Sequence, residues 1–158
     1  MNAAIEKMLT RHAIRRFRPE QISEAELRQV PETGLYAPSA ENNQESRLVV
    51  CQNAELNEKL GRINRFMQFK GQNPAAVAHA ISAEQPSIQD DFSILSGYYG
   101  APTVIPRFTR DSKYRCEDAA MMGENMLLAA HFPGLGACYV GRARLARVIN
   151  SAGESVPR

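Results

Sequence analysis

The chain has 158 residues, 44% of them hydrophobic, with nineteen Lys and Arg against seventeen Asp and Glu and a formal net charge of +2. That composition suits one domain with a proper core, and the charge is too small to argue by itself for nucleic acid or a membrane surface. Cys51, Cys116 and Cys138 lie far apart with no C-x-x-C pair, which speaks against a zinc site or a disulfide framework and suits a reducing cytoplasm.

Ala3 to Thr10 is amphipathic and presents Ile5, Met8 and Leu9. No signal-peptide core is found there, and no apolar run in the chain reaches the ~18 residues of a spanning helix. A basic run follows, from Arg11 to Arg18, and Pro19 ends it. Ser23 with Glu26 three residues later forms a capping box, and Ile22 with Leu27 a hydrophobic staple, so a helix starts here and runs to about Leu35. Pro31 inside it should kink it or cost ~3 kcal/mol. The stretch Ala37 to Gln44 is rich in turn formers and amides and predicts a loop.

Arg47 to Gln52 predicts a buried strand. Asn53 predicts the cap of a helix from Ala54 to about Phe69, with Leu56, Leu60, Ile63 and Met67 on one face. Residues 70–89 carry no clear pattern. Ser93 to Gly100 predicts a short helix and Thr103 to Phe108 a second strand, where Pro106 implies an edge or a bulge.

The stretch from Glu117 to Gly141 organises the rest. From Asp118 to Phe132 it is apolar almost all round, and Glu117, Glu124 and His131 recur every seven residues in one polar seam. Such a helix belongs inside a core. Pro133 and Gly134 stop it, and Ala137 to Val140 predicts a short strand closed by Gly141. A basic helix from Arg142 to about Asn150 completes an α+β pattern in a single domain over residues 1–158.

The arginine run suits either a solvated basic surface or a phosphate, whose oxygens the planar guanidinium binds as a fork. Gly134, Gly136 and Gly141 follow a helix rather than a strand and are not a dinucleotide fingerprint. They suit close approach of backbone to a flat ligand. The loop by itself is an ordinary turn. His131 reads as a hydrogen-bonded core histidine, and Cys138 has no nearby base to activate it. No metal spacing, catalytic triad or phosphate-binding loop can be assembled.

Taken together, R-H-A-I-R-R-F, L-Y-A-P-S-A-x-N-x-Q, G-A-P-T-V-I and N-M-L-L-A-A-H-x-x-G-L-G-A-C-Y-V-G stand in an order and spacing that resembles the nitroreductase family of FMN-dependent oxidoreductases. The resemblance runs from Arg11 to about Gly141. It implies a nitroreductase-like α+β fold with a central, mostly antiparallel sheet surrounded by helices. It also implies an interlocked homodimer with FMN at the interface. NADH or NADPH would reduce the flavin by a ping-pong mechanism, and a small-molecule acceptor such as a nitroaromatic or quinone would reoxidise it.

By the same resemblance, Arg11 and its neighbour His12 match the phosphate site, with Ala13 where the family usually has serine. Arg15 matches the basic residue at the pyrimidine side of the ring. Pro38, Ser39 and Ala40 match the loop laid against the partner's flavin, and Asn42 and Gln44 its amides. Asn64 is a candidate ring contact. Cys138, Tyr139, Val140 and Gly141 match the segment over the dimethylbenzene edge and N5. No side chain is assigned as catalyst, since the cofactor carries the redox step. Against the family pattern, Glu45-Ser46 replaces Pro-Trp, and the usual C-terminal strand and arm are expected to be lacking. A cytoplasmic location, no nucleic acid and no membrane complete the expectation. Two alternatives are a protein of this fold that binds FMN without turnover, and a basic interaction module.

Overall fold

The computed structural model describes residues 2–67, 92, 94–110 and 113–140. Asn2 caps the first helix, α1 (Ala3–Thr10), by accepting the Ala4 N–H at 2.8 Å. The chain leaves α1 in extended form. The expected capping box is present. Ser23 Oγ accepts the Glu26 N–H, and the Glu26 carboxylate accepts the Ser23 N–H at 2.9 Å and its hydroxyl at 2.6 Å. These bonds, the hydroxyl's foremost, hold the Glu26 carboxyl below its usual pKa range. The helix they start, α2, spans Glu24–Leu35 and carries Pro31 within it without ending there.

The two strand segments lie where the pattern places them but are shorter and less buried. Strand β1 is Arg47–Leu48 and β2 is Arg107–Phe108, paired antiparallel with Arg47 opposite Phe108. Beyond them, Val49 donates to the Pro106 carbonyl at 3.0 Å, and Cys51 and Val104 exchange two bonds at 2.8 and 2.9 Å. Pro106 offers a carbonyl but no N–H, so the ladder is split there. Nor is β1's segment buried, since Val49 is 49% exposed.

Helix α3 spans Ala54–Met67, and Asn53 Oδ1 accepts the Leu56 N–H at 2.9 Å as expected. The face it buries is not the apolar one. Asn57, Gly61 and Asn64 are buried, one turn apart, while Leu56 is exposed. The reason lies in contacts with distant parts of the chain. Asn57 Nδ2 donates to the carbonyls of Cys51 and Pro102, and the Gly97 N–H donates to the Gly61 carbonyl at 2.8 Å. A β-carbon on Gly61 would overlap the Ser96 hydroxyl, so only glycine admits this approach. The expected helix up to Gly100 is a turn over Gly97–Gly100, where Tyr99 and Gly100 both have positive φ.

The organising helix, α4, spans Arg115–His131. Helix α2 packs along it, and at Gly34 an added β-carbon would meet the Met126 side chain at 2.7 Å. Val30, Met122 and Ala130 are the buried apolar residues of the described chain. The expectation of a fully buried α4 is therefore corrected. Met121 is 50% exposed and most other positions are half-buried, because among the described residues α2 covers only one side. The expected Ala137–Val140 strand is also absent. This segment has no regular secondary structure and no ladder partner among the described residues. The stretch 70–89, Gly141 and the predicted helix 142–150 lie outside the described residues. The described elements are helices with one small antiparallel sheet, the α+β class. No described helix is long and apolar enough to cross a membrane.

Candidate functional site

Two segments meet on α4. In the first, Arg11, Ile14 and Phe17 turn inward and leave His12, Ala13, Arg15, Arg16 and Arg18 exposed. The polar seam of α4 receives it. Arg11 Nε lies 3.9 Å from Glu124 Oε1, and the Thr10 hydroxyl is hydrogen-bonded to His131 Nε2 at 3.2 Å. His12 Nδ1 lies 3.2 Å from the Thr10 carbonyl. His131 is hydrogen-bonded as expected, but it is half-buried rather than enclosed in a core.

The second segment begins beyond Gly134, whose φ of 97° turns the chain back, with the Leu135 N–H on the Ala130 carbonyl at 2.9 Å. It returns along α4 toward that helix's N-terminus. The Ile14 N–H donates to the Ala137 carbonyl at 3.0 Å. Tyr139 reaches Gly123, where a β-carbon would come within 2.7 Å of its ring. Arg11 and Tyr139 therefore rest on consecutive residues of α4, Glu124 and Gly123.

The third segment is the loop. Glu41, Asn42 and Gln44 all have φ near +50°, at 56°, 56° and 49°. The left-handed region costs an L-residue about 1–2 kcal/mol, less for Asn. Several bonds hold this shape. Asp118 Oδ1, in the first turn of α4, accepts the Ala40 N–H at 2.9 Å. Ser39 Oγ accepts the Gln44 N–H at 3.1 Å, and the Gln44 amide donates to Asn42 Oδ1 at 2.9 Å. Pro38 and Ser39 lead into this turn, and Asn42 and Gln44 are exposed on it. Beyond it, Arg107 donates from Nε to Ser46 Oγ at 2.8 Å and from Nη1 to the Arg115 carbonyl at 3.0 Å. Burial lowers the pKa of this guanidinium, and Asp118, then Tyr139 and Cys116, act against that.

Asn64 belongs to a third location, the face of α3 turned to Ser96 and Gly97. It is 4% exposed, and both its side-chain oxygen and nitrogen are buried without a hydrogen-bond partner. Leaving a buried polar atom unpaired costs ~1–3 kcal/mol. Asn57 Oδ1 and Arg107 Nη2 are likewise unpaired, but only in Asn64, among the described residues, are both polar atoms of the side chain left so.

The structure thus gathers Arg11, His12, Ala13 and Arg15 with Cys138, Tyr139 and Val140, and ties Pro38–Gln44 to the N-terminal turn of the same helix. Gly141 lies outside the described residues. Cys138 has its thiol 3.7 Å from the Tyr139 carbonyl and no base beside it among the described contacts. No described group of His, Cys, Asp or Glu has the makings of a metal site. Sequence reading missed Gly123, Asp118 and the partners of Glu124. A glycine in mid-helix, unfavourable by about 1 kcal/mol, was the available signal for Gly123, and the seven-residue recurrence of the seam was that for Glu124.

The nitroreductase family model matches residues 8–153. A protein of Methanothermobacter thermautotrophicus, provisionally named an NADH dehydrogenase/NAD(P)H nitroreductase, is 24% identical over 137 residues. The match takes in 87% of this chain but only 60% of that relative's length. Among solved structures, a nitroreductase with bound FMN from Bacteroides fragilis superposes with a TM-score of 0.71 at 23% identity, covering 90% of this chain and 71% of the other. An FMN-dependent nitroreductase from Clostridium difficile gives a TM-score of 0.65 at 25% identity over 87% of this chain and 59% of its own. The fold and the family model agree: the chain belongs to the nitroreductase family.

Proposed function

We propose that the protein is an FMN-dependent oxidoreductase. In this reading it takes electrons from NADH or NADPH by a ping-pong mechanism and passes them to a nitroaromatic, a quinone or a related small acceptor. The observation that carries this reading is the seating of Arg11 and Tyr139 on neighbouring residues of α4, which puts a cationic segment and a backbone-rich segment side by side. The residues present fit FMN. Asn64 has an unpaired buried amide to offer, and the exposed Arg15 is available to an anion or a carbonyl.

Arg11, with His12 and Ala13 beside it, would hold the phosphate, and Arg15 the pyrimidine side of the ring. Asn64 would pair with ring donors and acceptors, and Cys138 to Gly141 would lie along the ring. Pro38, Ser39, Ala40, Asn42 and Gln44 would be laid against it by a second copy of the chain. When bound, FMN supplies the two-electron chemistry. The chain's part is to orient the ring and the nicotinamide at stacking distance and to keep water from between them. No side chain is assigned as catalyst.

A homodimer is part of the proposal. A largely apolar α4 that the described residues only half cover, with Ile5, Met8 and Leu9 of α1 exposed beside it, calls for a further layer. So does the groove between α2 and α4, where Tyr36, Leu128, Ala129 and Phe132 lie among Glu32, Thr33 and Asn125. The chain then acts as a single FMN-binding domain over residues 1–158, in the cytoplasm, with no nucleic acid or membrane partner. Bound flavin in the purified protein, bleached by NADH or NADPH without oxygen, is the expected result. A colourless protein that takes up no FMN would overturn the reading.

A further inference from the structure

The left-handed turn at Glu41, Asn42 and Gln44 is a shape that this sequence would not hold unaided, since none of the three is glycine. Inside the loop, Ser39 and the Asn42–Gln44 pair restrain it. The bond from the Ala40 N–H to Asp118 is of another kind. It crosses 78 residues of sequence, is part-buried, and has an acidic acceptor in the first turn of α4, where the helix dipole favours that charge. Glu117, one position earlier, is exposed. Asp118 therefore does something Glu117 does not. It fixes the strained loop to the same helix that seats Arg11 and Tyr139.

We propose that Asp118 is a positioning residue, whose carboxylate latches the Ala40–Gln44 turn and so presents the Asn42 and Gln44 amides in a ready-made arrangement toward the flavin ring of the partner subunit. The inference rests on the FMN reading for what the loop contacts, but the latch itself is a property of the chain alone. A preorganised loop binds better because it loses less freedom on contact. The latch acts on the ring side of the ligand, so FMN and riboflavin feel it equally, whereas a phosphate contact separates them.

The test compares wild type, Asp118→Ala, Asp118→Asn and Glu117→Ala. Two readouts are taken: backbone hydrogen exchange of the peptide spanning residues 38–46 in flavin-free protein, and affinities for FMN and riboflavin by fluorescence titration. Asp118→Ala is expected to speed exchange of the loop and to weaken both flavins together by about tenfold, or about 1.4 kcal/mol. Asp118→Asn keeps an oxygen acceptor for the Ala40 N–H and is expected within about threefold of wild type, the weaker neutral bond accounting for the difference. Glu117→Ala removes the same charge from the same turn and is expected to change neither readout. Should Asp118→Ala not fold, Asp118→Ser, one atom too short to reach, carries the same expectation.

Wild-type loop exchange in Asp118→Ala, a loss for FMN without one for riboflavin, or an Asn variant as weak as the Ala variant would each overturn the latch. A wild type that binds neither flavin would instead overturn the functional reading, and with it the loop's role at the ring.

Discussion

Ile14 donates its backbone N–H to the carbonyl of Ala137 at 3.0 Å, and its side chain fills the space in front of Gly136. Through this pair the arginine segment is fastened to the segment that carries Tyr139. A β-carbon on Gly136 would sit 3.1–3.2 Å from three atoms of Ile14, tighter than a packed side chain tolerates without moving. Gly136→Val is therefore expected to push the two segments apart, at a cost of about 1–3 kcal/mol of stability. It should also weaken FMN binding. Thermal unfolding and a flavin titration check this, and a variant with both values unchanged would show that the two segments do not depend on each other.

Arg11→Ala is expected to lose a charge-assisted phosphate contact of about 1.5–3 kcal/mol, which is roughly ten- to a hundredfold in FMN affinity. Riboflavin affinity should barely move, since it lacks the phosphate. Stability should barely move either, because the ion pair with Glu124 is long and the glutamate is half exposed, and exposed pairs contribute ~0–1 kcal/mol. Equal losses for both flavins would remove Arg11 from the phosphate site.

The capping box at Ser23 makes a pH prediction. Hydrogen bonds from Ser23 hold the folded-state pKa of Glu26 below its unfolded value. The contribution is thus fully present above the unfolded value, about 4.3, and is lost as pH falls through the folded one. Comparing the melting temperatures of wild type and Glu26→Gln should show a gap at pH 7 that narrows progressively as pH falls below the unfolded value. A gap that persists undiminished at acid pH would mean that the charge plays no part in starting α2.

What was legible in the sequence was what short-range chemistry decides. Ser23 and Glu26, three residues apart, contain the whole of their motif, and so do Asn53 and Leu56. The strands were over-extended in the reading because Val49 and Val50 look like core while Pro106 quietly removes a donor from the opposing chain. Helix α3 was turned the wrong way because Asn57 and Asn64 are buried through contacts with distant residues that no local pattern records. The apolar character of α4 pointed to a buried helix, whereas the described residues leave much of it half-buried. Of the site, the arginine segment and the loop were legible as motifs. The left-handed turn was not, since Glu41 and Gln44 are poor signals for positive φ. Asp118 was missed for the same reason, its partner lying 78 residues away.

If orientation rather than a proton donor governs reduction, Cys138→Ser and His131→Gln should each keep most of the wild-type NAD(P)H-dependent turnover. Cys138 has no base beside it among the described contacts, and His131 is engaged with Thr10. Steady-state rates with the flavin content of each variant check this. A Cys138→Ser protein that holds its FMN but is not reduced would show that a side chain takes part in the chemistry.

The chain is expected to bind FMN and to pass electrons through it. An anaerobic titration of the FMN-loaded protein with NADH and with NADPH, followed by flavin absorbance, tests it most directly. Loss of the yellow colour at one equivalent of nicotinamide per flavin, and its return on adding a quinone or a nitroaromatic, is the expected result. Bound flavin whose colour neither nucleotide bleaches would contradict it, and would leave a protein of this fold that holds FMN without turning it over.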